Sequence, residues 1–454
     1  MKNAKLLAAI AGLAFVCIGS AGQDIQFGET LKVTPADGTP GSEFGVSVAI
    51  DQGVMAVGAH NDDANGADSG SVYLYDANTG VQLMKLLPDD GMPGARFGCS
   101  VAIAGGVVAV GAVSDVHNGV ASGSAYLFDA ASGDQIAKLT PSDGAEGDEF
   151  GISVAIEGGV VIVGAKRDDD LGLDSGSVYL FDTTGVQLNK ILADDGTTGD
   201  NFGGAVAIDG GIVAVGAHTD WNGNIFFAGS AYLFDATTGG QLNKLVANNP
   251  QTSDFFGSSI DIDNGLVVVG AWAKSVFFDH SGAAYVFDAA SGSQLAYIVP
   301  ADGHDRDHFG ISVAIDDGVV AIGAHQDGDN GWVAGSAYLY DAFTHTLISK
   351  LLTSDGEAFD YFGTSIAIDN GLIGAGAIGD ADNGEDSGSV YLFDGVDGPC
   401  TVDFTGEGTI DLFDLFAYLE LFNLGDLAAD FTGDGAIDVF DVFAFLDAFN
   451  AGCP

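Results

Sequence analysis

The dipeptide Phe-Gly recurs at Phe44, Phe97, Phe150, Phe202, Phe256, Phe309 and Phe362, at steps of 53, 53, 52, 54, 53 and 53 residues. A Gly-Ala pair follows each one, beginning at Gly58, Gly111, Gly164, Gly216, Gly270, Gly323 and Gly376. A third glycine then opens a run such as Gly70-Ser71-Val72-Tyr73-Leu74-Tyr75. A chain held to so constant a period stacks similar units side by side. A period of about fifty residues filled with short apolar runs predicts one propeller blade per copy.

Each copy reads as four short strands. Phe44–Ile50 alternates bulky Phe44, Val46, Val48 and Ile50 with small Gly45, Ser47 and Ala49, the period of a strand. Val54–Ala59 follows a tight Asp51-Gln52-Gly53 turn, and Val72–Tyr75 and Gln82–Leu87 complete the set. Pro88, Pro141 and Pro300 end the fourth strand, as an outer edge tolerates. The seventh copy stops at Asp394 without a fourth strand, whereas Thr30–Pro35 resembles one with no blade of its own. The expectation is that Thr30–Pro35 completes the last blade and closes the ring, leaving no unpaired seam.

Residues 1–22 read as an export signal: Lys2 and Lys5, an apolar stretch from Leu6 to Ile18, then small Gly19-Ser20-Ala21. That stretch is too short to span a bilayer, and no later apolar run is long enough. The expected organisation is a signal peptide over 1–22, a propeller over 23–396 and a small tail over 397–454, in a secreted or cell-surface protein. Cys99 stands where sibling copies have Val or Ile and is expected in the core. Cys400 and Cys453 bracket the tail and are expected to pair in an exported chain.

The formal net charge is −51, from 64 acidic and 13 basic residues. Such a field excludes nucleic acid and anionic membrane as partners. Clustered acids need water, salt or a bound cation, and the tail points to calcium. Asp403, Thr405, Glu407, Thr409, Asp411 and Asp414 occupy positions 1, 3, 5, 7, 9 and 12 of a twelve-residue loop with Gly408 at position 6. Asp430, Thr432, Asp434, Ala436, Asp438 and Asp441 repeat the pattern 27 residues later. Calcium takes six to eight oxygens, and position 7 of such a loop offers its backbone carbonyl. Each loop runs into a short apolar segment read as a helix, Leu415–Phe422 and Val442–Phe449. The fold class expected for the whole chain is therefore an all-β seven-bladed propeller followed by a small α-helical paired calcium-loop domain.

The tail, residues 400–453, resembles a dockerin, the duplicated calcium-loop module that attaches exported proteins to a cohesin. That resemblance implies structural calcium and a cohesin-like partner. Positions 10 and 11 of its loops, Leu412-Phe413 and Val439-Phe440, are apolar where many dockerins carry small polar residues. Residues 30–395 resemble FG-GAP repeats, the units of the integrin alpha-subunit propeller, through Phe44-Gly45, Val57-Gly58-Ala59 and their six equivalents. This implies an adhesion or ligand-binding module without catalysis. Integrin-type blades hold calcium in an acidic hairpin before Gly-Ala, which is cut here to turns such as Asp51-Gln52-Gly53.

Strand parity places the loop after the second strand and the loop after the fourth on one face. Acids gather there at Asp62, Asp63, Asn65 and Asp68, at Asp168, Asp170 and Asp174, and at Asp380, Asp382 and Asp386. They are candidate calcium ligands or simply turn formers. All three tryptophans, Trp221, Trp272 and Trp332, lie in the same loop class over copies 4 to 6, joined by Phe226, Phe227, Phe277 and Phe278. Grouped aromatics suggest a contact surface for a protein or glycan ligand. His60, His218 and His325 follow Gly-Ala in separated copies and are expected to pack loops. No nucleophile–base pairing, CxxC or phosphate loop appears, so a non-enzymatic binding or adhesion protein leads. A polysaccharide-active propeller enzyme and a purely structural matrix component stand as alternatives.

Overall fold

The computed structural model describes residues 26–117, 120–276 and 278–396, together with Tyr418, Leu419, Phe422, Val442 and Phe445. The chain divides into two compact units, Phe27–Gly395 and a second one formed by Met1–Gln26 with Val396–Pro454. In the second unit the five described tail residues are helical. There the rings of Tyr418 and Phe445 stack with centroids 4.0 Å apart. The segment read as an export signal, both loops read as calcium-binding, Cys400 and Cys453 lie outside the described residues. No helix among the described residues is long and apolar enough to cross a membrane.

The first unit is seven four-stranded sheets, a seven-bladed propeller. Blade 1 is Ser47–Asp51, Val54–Ala59, Ser71–Asp76 and Gln82–Leu86, numbered outward from the axis, and blades 2 to 6 repeat this order. Neighbouring strands within a blade run antiparallel. The third strand meets the fourth with a register shift after Leu74, repeated in blades 2 to 6. Blade 7 is Phe362–Asp369, Leu372–Ala377 and Ser389–Val396, and its outermost strand is Gln26–Val33. Thr30 there donates its hydroxyl to the Leu392 carbonyl at 3.1 Å.

The repeated motifs are the joints between blades. Phe44 is fully buried and meets Tyr73 and Tyr75 edge-on at 5.5 and 5.9 Å. Such pairs add about 0.5–1.5 kcal/mol beyond area burial. The glycine of each Gly-Ala pair lies against the backbone of the next blade. A Cβ on Gly58 would collide with the Gly98 carbonyl oxygen, and one on Gly376 with that of Gly45, so the same contact closes the circle. Ser47 donates to Gly98 O at 2.9 Å and Ser365 to Gly45 O at 2.7 Å, which accounts for the Ser of Phe-Gly-x-Ser. Apolar clusters form between blades rather than within them. Ala56, Val72 and Leu74 of blade 1 pack with Phe97, Val101 and Val110 of blade 2, and Val390 and Leu392 of blade 7 pack with Phe44 and Val57 of blade 1.

Two details depart from the sequence reading. The innermost strand begins at its Phe only in blades 2, 3 and 7 and is shorter in the others. Cys99 is half-buried rather than in the core. It lies at the register shift beside Phe97, with its thiol pushed up to about 11 by burial and donating to Gly151 O.

Candidate functional site

The loops after the second and fourth strands do share a face, because they hydrogen-bond to each other. Gly94 and Arg96 donate backbone N–H groups to Ala67 and Asp68 at 2.8 and 3.1 Å. Beneath this face, six blades repeat one polar cluster. In blade 3 the Tyr179 hydroxyl donates to Asp143 (2.9 Å) or Asp168 (2.8 Å). Lys190, on the fourth strand, reaches Asp143, Asp168 and Asp170 at 2.8, 2.9 and 2.7 Å, with its ammonium over the Tyr179 ring. Lys85, Lys138 and Lys244 reach two carboxylates each in blades 1, 2 and 4, and Lys350 and Lys32 three each in blades 6 and 7. Burial alone would push Asp143 and its equivalents up, but the ammonium and the Tyr hydroxyl outweigh it and hold these carboxyls below their ordinary range.

The loop acids read as candidate calcium ligands fall into this scheme. Asp62, Asp168 and Asp380 are buried beneath a Tyr hydroxyl and a Lys ammonium, while Asp170 and Asp382 pair with Lys190 and Lys32. Asp63 accepts the Asp68 backbone N–H, and the Asn65 N–H goes to Ser69 Oγ. Asp68, Asp174 and Asp386 occupy left-handed corners at φ +52° to +54°. Asp62, Asp168, Asp170, Asp380 and Asp382 are thus answered by a lysine of the chain, and Asp63, Asp68, Asp174 and Asp386 are not. Blade 5 breaks the pattern in a correlated way. Tyr297 replaces the fourth-strand Lys, Asn249 replaces one Asp, and Lys274 replaces the buried Asp. Lys274 pairs with buried Asp254 at 2.8 Å and donates to Asn249 O at 2.7 Å.

Above this constant layer the copies diverge. The residue before Phe-Gly is left-handed in every blade and reads Glu43, Arg96, Glu149, Asn201, Phe255, His308 and Tyr361. The residue after Gly-Ala reads His60, Val113, Lys166, His218, Trp272, His325 and Ile378. In blades 1 and 3 the side chains at these positions pair, Glu43 with His60 at 3.0 Å and Glu149 with Lys166 at 3.1 Å. From blade 4 onward the aromatic members of these positions join loop aromatics in one continuous arc. Trp221 packs on Phe226 (4.5 Å) and approaches Phe227 (6.4 Å), which stacks on Phe255 (6.2 Å), which stacks on Trp272 at 5.4 Å and 7°. Trp272 meets His308 (4.7 Å), His308 meets His325 (5.2 Å), and His325 meets Tyr361 (5.9 Å). Tyr361 then leads through Phe359 to Trp332. Burial lowers His218, His308 and His325 to about 4, 4 and 3, so this arc is uncharged at neutral pH.

Of the aromatics singled out in the sequence, Trp221 and Trp332 stand open to solvent (51% and 74% exposed), with Phe226, Phe227 and Phe278 also exposed. Trp272 is half-buried at the centre of the arc. Phe278 lies apart, stacked on His304. Phe277 lies outside the described residues. The linking residues Phe255, His308, Phe359 and Tyr361 escaped the sequence reading. Aligning the seven copies on Phe-Gly and asking which flanking position refuses to repeat would have found them.

No curated protein that was searched matches this chain. The family pattern described as "FG-GAP repeat" matches it seven times, over residues 27–75, 81–128, 134–181, 186–234, 240–287, 293–340 and 345–393. The described ring is thus built almost wholly from matched segments, and the chain belongs to the FG-GAP repeat family.

Proposed function

We propose that this is an exported, calcium-dependent interaction protein, in which the propeller binds a protein or glycan ligand through its aromatic sector and the tail anchors the protein to a cohesin-like partner. One observation carries the ligand-binding part. In a molecule whose blades are near-copies, the variation concentrates on one face and becomes a connected arc of aromatic rings over blades 4 to 7. Rings give large contact area at small entropy cost and dominate binding hot spots. Support for calcium is the pair of twelve-residue oxygen-rich loops at Asp403–Asp414 and Asp430–Asp441, and support for export is the segment 1–22.

A glycan and protein binding screen with and without calcium tests the reading. Trp221→Ala with Trp332→Ala should weaken the ligand found by about 2 kcal/mol or more per true hot spot while the ring stays folded. Unchanged affinity in the folded double variant would mean that the tryptophans only pack their loops. Calorimetric titration of the full chain with calcium should show two sites that Asp414→Ala and Asp441→Ala remove. Absence of binding heat would sink the calcium part alone.

A further inference from the structure

Blade 6 is the one copy with an imidazole at both of the divergent positions beside Phe-Gly and Gly-Ala, His308 and His325. Both project from firmly held backbone. His308 precedes Phe309, which is fully buried between blades 5 and 6, and His325 follows the strand Val319–Ala324. The two ring centroids lie 5.2 Å apart at 77°, and His308 Nδ1 stands 3.5 Å from His325 Nε2. Neither side chain has another hydrogen bond or an ion pair among the described residues.

The separation decides between two readings. A good hydrogen bond from a ring N–H spans about 2.7–3.2 Å, and little of it is left at the longer distance. The corresponding pair of blade 1 shows the contrast, since His60 meets Glu43 at 3.0 Å. Two nitrogens that share one zinc ion, each about 2.0–2.1 Å from it, stand about 3.3–3.4 Å apart at the tetrahedral angle. At the right angle of a square-planar copper site the same bond length brings them to about 2.8–3.0 Å. The histidine pair is therefore set at the span of a tetrahedral ion. Trp272 (4.7 Å from His308) and Tyr361 (5.9 Å from His325) wall it on either side. Imidazole is a borderline donor that suits zinc, whereas calcium takes oxygens.

We propose that His308 and His325 chelate a zinc ion on the loop face of blade 6. This site is separate from the calcium read in the tail and goes beyond the reading of the face as an interaction surface. His308 supplies Nδ1 and His325 supplies Nε2. Among the described residues, no third histidine, cysteine or carboxylate offers a ligand atom within 4.8 Å of both nitrogens. The remaining positions are thus open to water or to a donor atom of an arriving molecule, as at zinc sites that are not purely structural. Zinc on Nε2 puts the His325 ring proton on Nδ1, which is buried with no partner. A metal-bound imidazole normally donates that proton to an acceptor, and losing such an outer partner costs about 10–100-fold in affinity. The ion is therefore exchangeable, loaded and lost with the zinc around the protein, rather than a clasp that holds the fold.

The test is calorimetric titration of the full chain with zinc chloride. Excess calcium chloride and physiological salt are present throughout, so that oxygen-rich sites are occupied and exposed acids are screened. One saturable site is expected. His308→Asn copies Asn201 of blade 4 and His325→Val copies Val113 of blade 2, residues the fold already carries at the equivalent positions. Each should weaken zinc at least about tenfold, the least that a lost outer partner costs, while the melting temperature of the zinc-free protein holds. His218→Val, at the equivalent position of blade 4, should leave zinc binding as it is. A second readout does not depend on heat. Paramagnetic copper(II) quenches a tryptophan it lies beside, so copper added as a probe should dim Trp272, whose ring is 4.7 Å from His308, and zinc added first should protect it. Trp272→Phe should remove the protected part of the quenching and keep the zinc affinity. No zinc heat in excess calcium, zinc binding untouched by His308→Asn and His325→Val, or an equal loss in His218→Val would overturn the proposal. Copper binding without zinc binding would overturn the tetrahedral assignment.

Discussion

Lys190 holds three carboxylates and caps a tyrosine ring, and its side chain is only 16% exposed. Removing the ammonium strands Asp168 in the interior. Lys190→Tyr should therefore destabilise the propeller by about 3 kcal/mol, as breaking a buried pair does. Blade 5 shows how the chain survives the same loss, through Asn249, Lys274 and Asp254. Blade 3 already holds Asp148 at the place of Asp254, pushed above its ordinary range mainly by burial and still without a lysine partner of its own. Adding Asp143→Asn and Asp168→Lys to Lys190→Tyr should recover most of the loss in urea unfolding. A triple variant no more stable than the single one would show that the blade-5 arrangement depends on its surroundings. The six depressed carboxyls set an acid limit with a definite sign. Their folded-state values lie below their unfolded ones, so their contribution is complete above about pH 4 and is lost as pH falls through the lowered values.

The innermost strands line an axial channel of about 260 Å³, and each of them turns an alanine toward it except that of blade 5, Ile260–Asp263, which carries Asp261. Its carboxyl accepts backbone N–H groups from Ile262 and from Ile315 of the next blade at 2.9 and 2.8 Å, and burial lifts it to about 7. A raised folded-state value means that the stability linked to this group is complete below about pH 4 and declines as pH rises through 7. Asp261→Ala, the residue of the six sibling strands, should flatten the dependence of denaturant midpoint on pH between 5 and 8. An unaltered slope would place its origin elsewhere, with Asp263 and Asp316, also raised by burial, the next suspects. Deleting residues 23–36 should lower the melting temperature and promote association, because it exposes the edge of Ser389–Val396 and takes Lys32 from Asp380. The four strands of each blade were legible because Phe-Gly, Gly-Ala and Gly-Ser-x-Tyr are dictated by inter-blade contacts that recur identically. The lysine clusters were not legible, although Lys recurs at one position of the fourth strand. Their meaning depends on acids 48 residues away in blade 2 and 348 away in blade 7, brought in by the ring rather than by local periodicity.

At the scale of the molecule, 11 of the 13 basic residues lie among the described ones, and of these only Arg96, Arg167 and Arg306 are exposed. Six are the lysines folded into the blade clusters, Lys274 is buried on Asp254, and Lys166 and Arg167 are tied to Glu149. What faces solvent is close to purely acidic, and its self-repulsion opposes the compact state. Raising sodium chloride from 0.01 to 1 M shortens the screening length from about 30 to about 3 Å and should raise the melting temperature by several degrees. A flat response would mean that the exposed acids are already too far apart to matter. The strand Gln26–Val33 has a consequence in time as well as in space. Its partner, Ser389–Val396, lies more than 350 residues downstream, as the Thr30–Leu392 hydrogen bond shows. A ribosome adding 5–20 residues per second needs roughly 20–70 s to make the intervening chain. The first strand of the ring to be synthesised is therefore the last to be seated, and every earlier blade waits beside an open end. A circular permutant that carries residues 26–35 after residue 396 removes that wait, and it should reach the same final stability by a faster route.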